Sequence, residues 1–421
     1  MPEQHHCRIC RGRELTLILD LGRTALANRF LSPELAGEPE PTYPLRLVRC
    51  GDCGLVQIDE TVPPQMLFGH YLYLSQTSDA VRQHVERLAR DLIDHYGLRA
   101  GDLVLEVASN DGTLLKAFAP FGVRTLGIEP AANIAEMARA AGVETITEFF
   151  SMASASRLRQ ERGPAKLILA RHVLAHVADL PDFVCGLRHV LDDDGLVVIE
   201  CPHLLPFFQN LEYDTVYHEH LCYFSVRVLD QLFEKHGLEL LDVEEVSLHG
   251  GSILVTAQKR NGPHFARSSV EEIIAREDMV GLHRDESWAG FAERARRSRN
   301  QVRAELRRLR AEGKTIAGYG AAAKGMTLLA YCGLDYRDLQ FVADKSPLKQ
   351  GRLTPGHHIP VSDPQRLLDE QPDVVLLLAW NFAAEIAAQQ AEYLRRGGRF
   401  LLPLPEPHYW AESSRALETS R

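Results

Sequence analysis

No stretch of this chain is apolar for long enough to cross a bilayer. The longest runs, such as Val374 to Trp380 (VVLLLAW), fall well short of the roughly 20 residues that a span needs. The amino terminus, MPEQHHCRIC, lacks the apolar core of a signal peptide. Positive charge is not in excess either: 47 Lys and Arg stand against 57 Asp and Glu, for a net charge of −10. Such a surface repels a phosphate backbone, which argues against nucleic acid as a partner. Low-complexity tracts are absent as well, so disorder is not expected. What remains is a soluble cytoplasmic protein, monomer or homodimer. Its 421 residues, 45% of them hydrophobic, are enough for two or three domains with sizeable cores.

Cysteine, by contrast, is present in a pattern. Cys7 with Cys10 and Cys50 with Cys53 form two C-x-x-C pairs, CRIC and CGDC, while Cys185, Cys201, Cys222 and Cys332 are scattered. In a reducing compartment such pairs read as metal ligands rather than disulfides. Four thiolates complete a tetrahedral shell, and a two-residue gap lets backbone amides turn towards both sulfurs. A closed shell leaves no position for substrate, so a structural Zn2+ is expected, with iron as the alternative metal. Residues 1–70 are read as this zinc module, with a strand in ILDLGRTALANRF.

From 71 to 262, strands and helices alternate. Val81, Val85, Leu88, Leu92 and Ile93 fall at helical spacing. DLVLEVASNDGTLLKAF then reads as a buried strand, a tight turn and a helix start, and RTLGIEP as a second strand ending at Glu129. LILARHVLAHV and GLVVIECP supply later strands, which together predict a parallel doubly wound sheet.

The first turn of that sheet is defined by another absence. Glu106 to Gly112, EVASNDG, lacks the G-x-G-x-x-G that a pyrophosphate needs, and no Walker lysine follows. Glu106, the turn through Ala108, Asn110, Asp111 and Gly112, and Glu129 with Pro130 suit a different ligand. It would offer ribose hydroxyls to Glu129 and carry a cationic centre tolerant of acids. S-adenosylmethionine meets both demands; an ordinary α/β core with capping acids is the alternative. Phe149 and Phe150, where a third strand would end, are placed to flank adenine, and Arg171 and His172 join the same cofactor site.

The last part, 263–421, opens with charged amphipathic helices between Ser268 and Glu312. Phe291, Ala295, Val302, Leu306 and Leu309 lie on their apolar faces, and arginines line the outer ones. TIAGYGAAAKG then begins a second α/β unit. Gly318, Gly320 and Ala323 satisfy the permissive G-x-G-x-x-A, and Asp344 ends the next strand. Read alone, this is a dinucleotide fingerprint. A duplicated α/β unit, with the turn and Lys324 holding a diphosphate, explains it as well. Tyr319, Lys349, Arg352 and Asn381 would then line the substrate site around the strand ends.

DTVYHEHLCYFS, Asp214 to Ser225, places His218, Glu219 and His220 beside Tyr217. A metal, a proton-transfer role and plain loop hydrogen bonding all compete here. His218 and His220 would share one side of a strand, but no third ligand is evident. Histidine is the natural base near neutral pH. LHGGS reads as a hairpin turn whose two glycines, Gly250 and Gly251, permit backbone approach to a ligand, with His249 as a secondary candidate; a plain hairpin explains the glycines equally well.

In order along the chain come the paired knuckles, LEVASNDGTLL, GIEPA, VLAHV, YHEHLCYFS, LHGGS and GYGAAAKG. This set resembles the three-domain, zinc-containing, S-adenosylmethionine-dependent C-methyltransferases of deoxysugar biosynthesis, over essentially the whole chain. The resemblance implies an α/β protein with an N-terminal four-cysteine zinc module. A central Rossmann-like class I methyltransferase domain and a second Rossmann-like domain, holding a nucleotide sugar as the small-molecule substrate, would follow. It implies His220 as general base with Tyr217 and Glu219 beside it, and His176 as a second active-site histidine. Tyr71 and Tyr73 would close over donor and substrate, Tyr73 taking part in catalysis. Ala108 departs from the family's glycine and requires a compatible backbone angle.

Overall fold

The computed structural model describes residues 6–68, 79–246 and 250–411, which build three sheets on a largely continuous apolar core. The first sheet is antiparallel, with Leu15–Thr24, Tyr43–Cys50, Val56–Ile58 and Cys222–Tyr223 as successive neighbours. Its fourth strand comes from far along the chain. Val56 pairs with Tyr223 and Gln57 with Cys222, so the amino-terminal module is stitched to the segment just after His220.

The second sheet has seven strands. Their spatial order is Leu238–Val246, Ser252–Lys259, Leu191–Pro202, Ala165–Arg171, Leu103–Val107, Arg124–Ile128 and Thr145–Ile146. The last five are parallel, and the first two form an antiparallel hairpin at the edge. Leu103–Val107 (LVLEV) is buried at all five positions, as a strand covered by helices on both faces must be. Chain order reverses beside this strand, which makes its carboxyl end the place where an open α/β sheet accepts a ligand. Gly127 in the next strand permits close approach: a Cβ there would lie 2.4 Å from Ser109 Oγ.

The third sheet runs Val361–Ser362, Val342–Ala343, Ile316–Tyr319, Val374–Leu377, Arg399–Leu402 and His408–Tyr409, parallel except for the last strand. It is preceded by helices Ser269–Val280 and Asp285–Ala311. The longer helix buries Trp288, Phe291, Ala292, Ala295, Val302, Leu306 and Leu309 along one stripe at helical spacing. Each large side chain contributes about 1.5–3 kcal/mol of burial, and the arginines between them stay outside. The stripe packs on strand Leu15–Thr24 and on helix Ala323–Cys332, joining the first unit to the third. No helix among the described residues is long and apolar enough to cross a membrane.

Candidate active site

The four cysteine sulfurs of the two knuckles lie within 4.8 Å of one another, with Cys7 Sγ 3.4 Å from Cys53 Sγ and Cys10 Sγ 3.5 Å from Cys50 Sγ. A tetrahedral zinc–thiolate shell has sulfurs about 3.8 Å apart, so the donor set fits zinc without rearrangement. The amides of Ile9 and Gly12 point at the sulfurs of Cys7 and Cys10, as knuckle turns require. Among the described residues this is the one group placed to hold a metal. His218 belongs to no such group. It is buried, donates from Nε2 to the Pro44 carbonyl at 3.1 Å, and stands edge-on to Tyr43.

At the carboxyl end of Leu103–Val107 the chain turns through Ala108 (φ 56), Asn110 (φ 51) and Gly112 (φ 75). Ala108 therefore adopts the left-handed angle that a glycine would take more readily. Glu129 accepts from the amides of Asn110 (3.0 Å) and Ala131 (2.8 Å), and each oxygen keeps a second lone pair for a ribose hydroxyl. Asp111 accepts from the amide of Thr113. Pro130 is half-buried beside Glu129. Glu106 is buried, and its Oε2 has no hydrogen-bond partner among the described residues. Burial pushes its carboxyl up to about 8, against the pull of Arg171 and with the help of Asp111 and Glu129. A buried acid with an unmatched oxygen, flanked by two further carboxylates, fits a sulfonium and an ammonium better than any phosphate.

The adenine-flanking residues divide. Phe149 is 43% exposed, whereas Phe150 packs edge-on against Phe183 with ring centroids 5.3 Å apart. Arg171 and His172 are held by an acid that the sequence reading passed over. Glu200, at the end of strand Leu191–Pro202, is completely buried. It receives Arg171 Nε at 2.6 Å, His172 Nε2 at 3.1 Å and His84 Nε2 at 3.0 Å. Those three donors hold its carboxyl far below the usual carboxylate range despite burial. The signal was an acid closing the apolar run GLVVIECP.

Beyond the strand end lie the histidines. Tyr217 Oη and His220 Nε2 are 2.7 Å apart, and His220 Nδ1 is 3.0 Å from the Thr215 carbonyl. A carbonyl only accepts, so Nδ1 carries the proton, and in the neutral ring Nε2 accepts from the Tyr217 hydroxyl. The His176 and His220 ring centroids are 5.0 Å apart. His176 sits in a 3-10 turn, Leu174–His176, rather than at a strand end, because the strand stops at Arg171. Its Nδ1 donates to the Glu219 carbonyl at 2.5 Å, and burial pushes its pKa down to about 4. The ring is therefore neutral, and it faces the His172 backbone as well as the Glu219 carbonyl.

Glu219 does not orient the His220 imidazole. Its carboxylate is buried against Asn28 Nδ2 (3.1 Å), and the Thr215 carbonyl does the orienting instead. Tyr71, Tyr73 and His249 lie outside the described residues.

Of the substrate-binding residues expected in the third sheet, Lys324, Lys349 and Asn381 are half-buried. Lys324 Nζ donates to Asn381 Oδ1 at 3.0 Å and lies 4.0 Å from the Trp380 ring centroid and 3.7 Å from Asp214 Oδ2. Those are the contacts its ammonium makes among the described residues. Lys349 donates to the Ala321 carbonyl at 2.7 Å and packs over Phe30. Tyr319 is buried in the core of the sheet. Gly250 (φ 94) passes close to Glu212, whose Oε2 would lie 3.0 Å from an added Cβ. Arg352 is exposed.

The G-x-G-x-x-A turn has internal reasons. At Gly320 (φ 94) a Cβ would meet Ala379 Cβ at 2.5 Å, and Asp344 accepts the Ala321 amide at 2.7 Å. Close packing against the turn after strand Val374–Leu377 thus accounts for Gly320 within the fold itself.

Three family models match consecutive parts of the chain. They are a zinc binding domain over residues 7–68, a methyltransferase domain over 81–243 and a C-methyltransferase C-terminal domain over 247–405. The C-methyltransferase NovU of Streptomyces niveus is 39% identical over 401 residues, covering 95% of this chain and 96% of that protein. Among solved structures, the YcgJ protein of Bacillus subtilis is 16% identical and covers 43% of this chain and 100% of its own, with a TM-score of 0.35. Magnesium protoporphyrin IX methyltransferase of Synechocystis PCC 6803, with bound SAM, is 14% identical over 47% of this chain and 89% of its own, with a TM-score of 0.34.

Proposed function

The chain belongs to the family of S-adenosylmethionine-dependent C-methyltransferases, and from that premise we propose that it methylates a nucleotide-linked 4-keto-deoxysugar at the carbon next to the ketone. The observation that carries this reading is the pair of Tyr217 and His220, in contact at 2.7 Å with the imidazole tautomer fixed from behind by a carbonyl.

Carbon methylation beside a ketone needs three things: a base for the α proton, a donor for the enolate oxygen and an electrophilic methyl. S-adenosylmethionine supplies the methyl, and Glu106, Glu129 and the turn Ala108 to Gly112 are the residues that would hold it. His220 Nε2 takes the α proton as the Tyr217 hydroxyl turns from the imidazole to the ketone oxygen. The C–H electron pair becomes the enolate and the proton leaves His220 to water; the bound donor would supply its methyl to that carbon, the S–CH3 bond breaking as S-adenosylhomocysteine departs. Tyr217 or His176 steadies the enolate, their rings beside that of His220 supporting both. Zinc holds the first sheet, and through strand Cys222–Tyr223 the end of the histidine loop, without touching the chemistry.

A nucleotide-linked acceptor is supported by the second α/β sheet beside the histidine loop, with Arg352 as its exposed cation. The test is calorimetric titration of the pure protein with S-adenosylhomocysteine and then thymidine diphosphate. Binding of both is expected. Binding of the first alone would move the acceptor away from nucleotide sugars, and binding of neither would overturn the reading.

A further inference from the structure

The Thr215 carbonyl fixes the tautomer of His220 and also accepts from the Tyr223 hydroxyl at 3.2 Å, so its position sets the position of the imidazole. Thr215 is tied within its own turn, its hydroxyl and amide both donating to the Glu212 carbonyl at 2.8 and 3.0 Å. The residues on either side add a second anchor from outside the turn, and both meet the same helix of the third unit.

On one side, Asp214 is completely buried. Its Oδ2 receives Trp380 Nε1 at 2.7 Å and faces Lys324 Nζ at 3.7 Å. Its Oδ1 has no hydrogen-bond partner among the described residues. On the other side, the Val216 carbonyl accepts from Thr327 Oγ1 at 2.9 Å, within the protein interior. Lys324 and Thr327 are three residues apart on helix Ala323–Cys332 and therefore share one face. Tyr213, one residue earlier, stacks edge-on against Tyr331 of the same helix with centroids 5.3 Å apart.

This pattern has a cost that a loop needing only to be tidy would not carry. Burying a carboxylate against a lysine is at best neutral beside an apolar pair, and removing one partner leaves a charge stranded. The same helix begins at the glycine turn of the third sheet, where Lys324 also binds Asn381 and sits over Trp380. A lysine with these contacts is held as a strut.

We propose that Lys324 and Thr327 are positioning residues for the chemistry: from the carboxy-terminal sheet they clamp Asp214 and Val216, and so hold the Thr215 carbonyl that keeps the His220 imidazole protonated on Nδ1 with its Nε2 facing Tyr217. The inference rests on His220 being the base. It assigns the third unit a part in the proton-transfer step beyond holding the acceptor, and it moves Lys324 from diphosphate ligand to support of the base.

The experiment uses full-length protein carrying 15N-labelled histidine, with the His220 signals assigned by their loss in His220→Ala. Long-range proton–nitrogen spectra distinguish the two neutral tautomers. Wild type is expected to show His220 protonated on Nδ1. Thr327→Val keeps the volume and removes the hydroxyl, and Lys324→Met removes the ammonium. A hydrogen bond of ordinary strength biases a tautomer about tenfold, so each variant should raise the Nε2–H form by about that factor. Thr327→Ser should restore the wild-type spectrum. S-adenosylhomocysteine affinity should stay within about twofold in all of them, since the clamp lies outside the donor site.

Unchanged His220 signals in folded Thr327→Val overturn the proposal, even if Lys324→Met fails to fold. A weaker affinity for thymidine diphosphate in Lys324→Met with His220 unmoved overturns it too, by returning Lys324 to ligand binding. The spectra report the state of the imidazole and not its use. Turnover persisting in His220→Ala would therefore sink the base assignment separately and leave the tautomer result standing.

Discussion

Glu106 lies 4% exposed at the end of the central strand, with a carboxyl pushed up to about 8. At pH 7 such a group is ionised in about one molecule in eleven, so the donor-free site is mostly protonated. A sulfonium and an ammonium favour the ionised form of a neighbouring carboxylate. Binding S-adenosylmethionine at pH 7 should therefore expel about 0.9 of a proton. Affinity should climb by up to about tenfold per pH unit below 8 and level off above it, a span of about 2.3 kcal/mol between pH 6 and pH 8. Calorimetry in two buffers of different ionisation enthalpy counts the proton directly. S-adenosylhomocysteine lacks the sulfonium and should give a shallower slope, and Glu106→Gln should abolish the slope. Equal affinity at pH 6 and pH 8, with no proton released by wild type, would refute the assignment of Glu106 to the donor site.

Other consequences follow from the same geometry. Cys50→Ser should lose bound zinc by elemental analysis and most methyl transfer with it, because the knuckle sheet pairs with Cys222–Tyr223 next to His220; full activity without metal would contradict that link. His176 and His357 are both pushed down to about 4, chiefly by burial. The folded state binds fewer protons there than the unfolded chain. The stability they contribute is complete above pH 6.5 and lost as pH falls towards 4, by up to about 3 kcal/mol each. Urea midpoints at pH 7, 5.5 and 4.5 should fall in that order, and a flat series would refute it. Gly320→Ala places a methyl 2.5 Å from Ala379 Cβ at a left-handed φ of 94, and should destabilise by roughly 2 kcal/mol or more in chemical denaturation.

Much of the scaffold could be read from the residues alone. The strand LVLEV, the turn after it, the second strand ending at Glu129 and the two C-x-x-C knuckles all carry their reasons locally, in burial pattern, turn chemistry and ligand spacing. What escaped is what depends on distant partners. Strand Cys222–Tyr223 is two residues long and exists because Val56 and Gln57 lie beside it. Asp214 reads as a loop acid until Trp380 and Lys324 are folded against it. The group that orients His220 is a backbone carbonyl, which every residue has and no sequence pattern marks. Glu219 is adjacent to His220 in sequence, yet adjacent side chains diverge and its carboxylate faces Asn28.

The central claim is that His220 removes a proton from the carbon beside a ketone. It is tested most directly by incubating the protein with thymidine diphosphate-4-keto-6-deoxyglucose and S-adenosylhomocysteine in deuterium oxide and following the α positions by proton NMR. Deuterium entering one α position with wild type, and not with His220→Ala, is the expected result. Exchange that proceeds equally in both proteins would contradict it.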